Sequence, residues 1–149
     1  MKLILAHIAQ RTRNDLLDPA VKEYLGRIAA YSPVEAMAFR TEAAFFDFAA
    51  RQRSRTAAWV TLLDSRGKQL SSEEFAAFLG ARRDAGQQTM IFAVGPADGW
   101  PEERRRQAQS LLSFGPMTLP HELARLVLAE QVYRAFTILA GHPYHAGHA

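Results

Sequence analysis

The residues best suited to chemistry gather in the last third of the chain. They are His121, Arg125, Arg134, His142, Tyr144, His145 and His148, with Glu122 and Glu130 among them. Imidazoles hold and release protons near neutrality, and arginine forks bind phosphates and carboxylates. This end of the chain therefore suits proton transfer or anion contact. His142, His145 and His148 recur every three residues, but their stretch lacks carboxylates, and Pro143 breaks the helix that would align the rings as metal ligands. A solvated terminal tail is the ordinary expectation. Tyr144 argues against it, because an amphipathic ring gains little from dangling in water. His121 follows Pro120 at a helix start, where the dipole favours a neutral ring; a tuned base and a satisfied capping group both fit. Arg125, three residues after Glu122, and Arg134, four after Glu130, read as surface helix pairs worth roughly 0.2–0.5 kcal/mol each.

Other chemistry is excluded. With no cysteine among 149 residues, there is no disulfide, thiolate metal site or covalent thiol adduct to a uridine. A nucleotide fold of the usual kind wants a glycine-rich turn after its first strand, but that turn is Ala9-Gln10-Arg11-Thr12-Arg13. The net charge of +3 is modest for a free-standing RNA-binding domain. The Arg51–Arg53–Arg55 and Arg104–Arg105–Arg106 clusters each read as solvated helix ends. No apolar run would span a bilayer, and the opening residues do not read as a secretion signal, so a cytoplasmic location is expected.

Positioning these groups falls to alternating strands and helices, expected to form one α/β domain over residues 1–149 with a parallel sheet covered on both faces. Strands are expected at Leu3–Ile8, Val34–Phe39 (nearer an edge), Ala57–Leu63 and Thr89–Val94, with a short fifth around Phe114–Leu119. Asp18 reads as an N-cap before Pro19, Glu42–Gln52 as a helix, and Asp64–Gly67 as a turn. Ser71 and Glu74 read as a capping box, with Gly86 ending that helix. Pro101–Leu112 and a stretch from Pro120 to about Ala140 complete the helices.

Ligands of open parallel sheets collect beyond the carboxyl ends of strands. Three turns meet that criterion: Leu63-Asp64, Gly95 to Gly99, and Phe114 to Leu119. After Gly99 the next helix begins Pro101-Glu102-Glu103, and two carboxylates at a positive helix end disfavour a phosphate there. A neutral or cationic ligand suits that turn better, though a purely structural turn is an equal reading. Backbone groups of Gly115 and Pro116 suit an adenine edge, with Phe114, Met117 and Leu119 as walls, but taken alone the stretch reads first as a short strand with a bend.

Several motifs, in order, resemble one family. They are Met1-Lys-Leu, Leu63-Asp-Ser-Arg-Gly-Lys-Gln-Leu-Ser-Ser-Glu73, Met117-Thr-Leu-Pro-His-Glu-Leu-Ala-Arg125, Glu130-Gln-Val-Tyr-Arg-Ala-Phe136 and His142-Pro-Tyr-His145. Together they resemble the small SPOUT-class methyltransferases of the RlmH type, over nearly the whole chain. The resemblance implies S-adenosylmethionine as cofactor and N3 of a pseudouridine in large-subunit ribosomal RNA as target, on the assembled ribosome. It implies a C-terminal trefoil knot, and a homodimer with the last helix at the interface. The breadth of apolar positions on that helix (Leu123, Leu126, Val127, Leu128, Val132, Phe136, Ile138) fits such a role.

By the same resemblance, the cofactor pocket falls on Leu63, Gly95, Phe114, Gly115, Pro116, Met117, Thr118 and Leu119. The N3 proton must leave as the methyl arrives, which needs positioning and a proton acceptor, with no metal. His145 is the first candidate acceptor, Tyr144 would stack on the target base, and Arg125 would contact base or phosphate. Arg134, His121, Arg11 and Arg13 are the further RNA contacts expected. The chain departs from the family's habit in carrying Gly95-Pro96 for a glycine pair, Ala9 for a glycine, and Ala146-Gly-His-Ala149 where a basic residue usually closes the tail. Two other readings remain: a SPOUT methyltransferase for a different RNA, and a non-catalytic cofactor- or ribosome-binding dimer.

Overall fold

Alternation along the first strand sets the layering. Leu3 and Leu5 point into one apolar layer and Ile4, Ala6 and Ile8 into the other, as the two-residue period of a strand requires. The computed structural model describes residues 1–9, 16–96 and 98–146; the expectations placed on Arg11, Arg13 and His148 fall outside them. The elements run β1 (Lys2–Ile8), α1 (Asp18–Ile28), β2 (Val34–Phe39), α2 (Glu42–Arg51), β3 (Trp59–Gln69), α3 (Ser72–Asp84), β4 (Thr89–Val94), α4 (Glu102–Gln107), β5 (Ser110–Ser113) and α5 (His121–Ala140). The strands pair in the order β2-β1-β4-β3-β5, every neighbouring pair parallel. The expected α/β class and the edge position of β2 are both found.

One face of the sheet is covered by α1, α3 and α5, with Val21, Ile28, Phe75, Leu79, Leu128 and Val132 buried against Met90 and Phe92. The other carries α2 and Trp100, packed through Phe45 and Ala49 onto Ile4, Leu62 and Ile91. The wide apolar circumference of α5 is thus largely taken up within the chain. Leu128, Val132 and Phe136 lie in its own core, while Leu123 stays exposed.

Local signals explain most boundaries. Ser71 and Glu74 close the expected capping box, each side chain meeting the other's backbone N–H. Gly86 takes φ 85° just past the end of α3, a conformation open to glycine. Three expectations are corrected. Asp18 is the first helical residue of α1 rather than its cap, the cap position being Leu17 with no side-chain hydrogen bond. Asp64–Gly67 does not end a strand; it is a bulge inside β3, whose pairing to β5 resumes at Lys68 after Leu63. The helix expected over Pro101–Leu112 stops at Gln107, and Ser110–Ser113 forms the fifth strand, ahead of the stretch expected to hold it.

That last switch has a tertiary cause. Gln109 N–H donates to the Val60 carbonyl at 3.0 Å, and Val60 N–H donates to Gln109 Oε1 at 2.6 Å. Ser110 Oγ accepts from Trp59 Nε1 at 3.0 Å and shares a hydrogen bond with Thr61 Oγ1 at 2.7 Å. An edge of β3 captures residues whose local pattern alone favours helix.

Gly67 makes the crossing of the bulge over β5 possible: a Cβ there would lie 2.6 Å from the Leu112 nitrogen and 2.7 Å from the Leu111 carbonyl carbon. Because those atoms are backbone, they cannot swing aside. Gly67→Ala should therefore cost about 1–3 kcal/mol, the usual range for overpacking. In a chain of this size that is a Tm lower by roughly 5 °C, measurable by calorimetry. An unchanged Tm would mean the bulge relaxes without strain.

Candidate functional site

Pairing within the sheet brings the three strand-end turns together. Leu63 is in register with Val94 on one side and Leu112 on the other. Gly95 follows directly after Val94, and Phe114 lies two residues past Leu112. Gly95 and the start of the Phe114–Leu119 stretch thus follow the carboxyl ends of β4 and β5, while Leu63 lies between them inside β3, just before its bulge.

A cleft of about 380 Å³, within the span of small-molecule sites, opens at the last of these turns; Phe114 and Gly115 line it, and Leu63 and Gly95 do not. Phe114, Gly115, Leu70 and Val127 give it apolar walls, and Ser72, Ser113 and Gln131 line it with polar groups. Its described lining holds no lysine or arginine. Gly115 takes φ 113°, and its N–H donates to Ser113 Oγ at 3.0 Å, bending the chain sharply after β5. Other expected cofactor residues stand apart from this cleft: Met117 is 83% exposed and walls nothing here. Pro116 and Thr118 are also exposed, and Leu119 is half-buried. A larger cavity, about 450 Å³, opens between α3 and the β3–β5 edge and touches none of the expected cofactor residues. At Gly95 a Cβ would approach Trp100 Nε1 to 2.6 Å, so glycine permits close packing of the buried indole under this turn.

The C-terminal tail is held rather than dangling. Gly141, at φ 70°, turns the chain out of α5, with Gly141 N–H donating to Ile138 O and His142 N–H to Thr137 O. Tyr144 then packs its ring against Tyr133 at 4.7 Å, edge to face. Its hydroxyl donates to Glu130 Oε2 at 2.9 Å, and the Arg134 guanidinium lies 4.9 Å from its ring centre. Burial, with hydrogen bonding to Tyr24 and Glu130, pushes the Tyr144 phenol well above its ordinary range. In this position the ring is not presented for stacking on a base.

Arg134 pairs with Glu130 at 2.9 Å as the i,i+4 spacing implies, both side chains being less than one-fifth exposed. It also lies 2.9 Å from His145 Nδ1, and His145 Nε2 lies 2.6 Å from Glu73 Oε1 on α3. Sequence reasoning missed Glu73, since 72 residues separate it from His145. The tail meets the cleft here. Ser72 and Gln131, joined at 2.7 Å, line the cleft, and their chain neighbours Glu73 and Glu130 hold His145 and Tyr144.

The remaining candidates lie elsewhere. Arg125, expected as a surface helix residue, is only 13% exposed and reaches Asp18 of α1 at 3.8 Å, an interhelix contact. The His121 ring meets the His7 ring edge to face at 5.2 Å, with its Nε2 shielded from solvent. His142 Nδ1 accepts from Tyr144 N–H at 3.1 Å.

His145 holds the Glu73 carboxyl below its ordinary value, chiefly through their hydrogen bond. A group whose folded pKa is lowered stabilises the fold above its unfolded pKa and loses that contribution as pH falls through the folded one. Tail attachment should therefore persist at neutral pH and weaken below the ordinary carboxylate range. Amide exchange at Tyr144–Ala146, measured against that of β4 from pH 7 to pH 3, tests this. Equal pH dependence of tail and core would show that Glu73 does not hold the tail.

Comparison with known proteins bears on the whole chain. Residues 1–145 match the family described as "Predicted SPOUT methyltransferase". A protein of Koribacter versatilis named ribosomal RNA large subunit methyltransferase H is 49% identical over 148 residues, covering 99% of this chain and 100% of that one. A Geobacter metallireducens protein of the same name is 39% identical over 153 residues, covering 97% and 99%. Among solved structures, a probable methylase family protein from Haemophilus influenzae aligns with a TM-score of 0.59 at 10% identity, over 96% of this chain and 69% of that one. The SpoU methyltransferase AviRb from Streptomyces viridochromogenes, in complex with AdoMet, aligns at 0.51 and 12% identity, over 90% of this chain and 57% of AviRb. These structures share the fold.

Proposed function

This chain belongs to the SPOUT methyltransferase family, and on that premise we propose that it methylates N3 of a pseudouridine in large-subunit ribosomal RNA, on the assembled ribosome. One observation carries the reading furthest. The cleft at the carboxyl ends of β3 and β5 and the tail bearing His145 share a wall, through Ser72–Glu73 and Glu130–Gln131.

S-adenosylmethionine supplies the methyl group as a sulfonium. The cleft suits it: apolar walls and backbone groups at Phe114 and Gly115 accept an adenosine, and no cationic side chain among those lining it repels a positive sulfur. Leu63, Gly95 and Phe114–Leu119 are the residues assigned to hold it, with Pro116 to Leu119 closing over the ligand. His145 is assigned as acceptor of the N3 proton, and Tyr144 as the contact to the target base after leaving Tyr133. Arg134, His121, Arg11 and Arg13 are assigned to the RNA, with Arg125 supporting the same helix. A homodimer through the exposed remainder of α5, including Leu123, and the family's trefoil knot complete the reading.

The modest net charge fits a substrate recognised by the shape of a large ribonucleoprotein. Incubating the protein with labelled cofactor and ribosomes from cells lacking its gene should label one nucleotide, identified as N3-methylpseudouridine by mass spectrometry. Absence of label from ribosomal RNA would overturn the reading, and label on free transfer RNA would redirect it. His145→Ala should slow single-turnover transfer about 10²–10⁴-fold, the usual contribution of general acid–base catalysis. An unchanged rate removes His145 as the acceptor.

A further inference from the structure

Glu73 has no part in the chemistry just set out, yet it makes the shortest contact to the His145 ring, 2.6 Å from its Nε2. The other ring nitrogen decides what that contact is. A guanidinium can only donate hydrogen bonds, so Nδ1, 2.9 Å from Arg134 Nη1, must accept. The ring is then neutral with its proton on Nε2, and Nε2–H donates to the Glu73 carboxylate. This arrangement runs from Glu73 through His145 and Arg134 to Glu130, joining α3, the tail and α5.

The lone pair able to take a proton is on Nδ1, and Arg134 covers it. Arg134 is also the residue of the group best suited to an RNA phosphate, since its fork matches that geometry. A phosphate drawing Arg134 away uncovers Nδ1 without disturbing Nε2. Glu73 can then do two things: keep the ring from rotating, and offset the charge of the imidazolium that forms.

We propose that Glu73 is a positioning residue, pairing with His145 Nε2–H so that Nδ1 accepts the N3 proton once RNA engages Arg134. The proposal rests on His145 being the acceptor. In the step, the N3–H bond breaks and its electron pair stays on N3. An Nδ1–H bond forms, giving an imidazolium between Glu73 and water, and the proton later passes to solvent. Glu73 is 63% exposed, so its effect comes more from orienting the ring than from bare charge. The charged groups facing the ring are Glu73 from α3 and Arg134 from α5, with Glu130 behind Arg134.

Two readouts test it, one independent of turnover. In nitrogen-15 spectra of the wild-type protein without RNA, His145 should show the Nε2–H tautomer and a slowly exchanging Nε2–H proton; in Glu73→Ala that proton should exchange too fast to observe. In single-turnover assays with labelled S-adenosylmethionine and ribosomes lacking the modification, Glu73→Gln should lower the transfer rate at saturating ribosomes about 10–100-fold, below the full contribution of a general base. Its cofactor affinity and half-saturating ribosome concentration should stay within twofold of wild type, which separates positioning from a folding defect. If His145→Ala slows transfer but Glu73→Gln does not, the pairing is overturned and the acceptor assignment stands. If neither slows it, both fall. An Nε2–H signal that survives in Glu73→Ala overturns the pairing whatever the rates.

Discussion

The parallel pairing of β3 with two partners is the constraint on which the rest depends. Thr61, Leu62 and Leu63 bond to β4 on one edge and to β5 on the other, so the exits of β4 and β5 are placed on either side of Leu63. Buried backbone groups must be paired, and an unpaired one costs about as much as a lost hydrogen bond. That requirement draws Ser110–Ser113 out of a helical pattern and into the sheet. It also sets where Phe114 and Gly115 emerge, and hence where the cleft lies. The bulge at Asp64–Gly67 follows from the same demand, because β3 must regain β5 at Lys68 after leaving it at Leu63.

A second layer of order comes from α5. Wedged against α1 and α3, it buries Leu128, Val132 and Phe136, lines the cleft with Gln131 and meets the tail through Glu130 and Arg134. Glu130 has several tasks. It accepts from Tyr144 and pairs with Arg134, and its Oε1 accepts from Gln131 Nε2 at 2.9 Å. One carboxylate thus ties the helix, the tail and the cleft wall together. Ion pairs at exposed sites contribute little; this one is shielded and multiply bonded, the circumstance in which such pairs matter.

The tail shows how a held conformation and a reactive one can be built from the same residues. Tyr144 and His145 carry the groups assigned to the target base, and both are engaged within the chain. On the proposed assignments, freeing Tyr144 from Tyr133 and Arg134 from His145 Nδ1 must be offset by contacts to RNA, which makes reactivity conditional on substrate while His145 stays on Glu73.

Much of this was legible in the residues. Apolar runs located β1, β2 and β4 to within a residue, and the Ser71–Glu74 capping box set the start of α3, because those signals are local. The ordered motifs identified the family. The turns at Gly95 and Phe114 were legible as strand exits, and the family resemblance grouped them with Leu63, which the structure places inside β3. Sequence reasoning went astray where long-range pairing outweighed local preference: at Asp64–Gly67, which reads as a turn but bulges within a strand, and at Ser110–Ser113, which reads as helix but pairs with β3. It also could not place Glu73 against His145, or Asp18 against Arg125. Such contacts join residues far apart along the chain, and no spacing rule encodes them. The sequence by itself determined most element types, the family and the inventory of reactive groups, since these depend on residue type and near neighbours. Only the tertiary structure decided which of those groups meet, and that His145 Nδ1 faces Arg134 while Nε2 faces Glu73, because packing and hydrogen-bond satisfaction act across the whole chain at once.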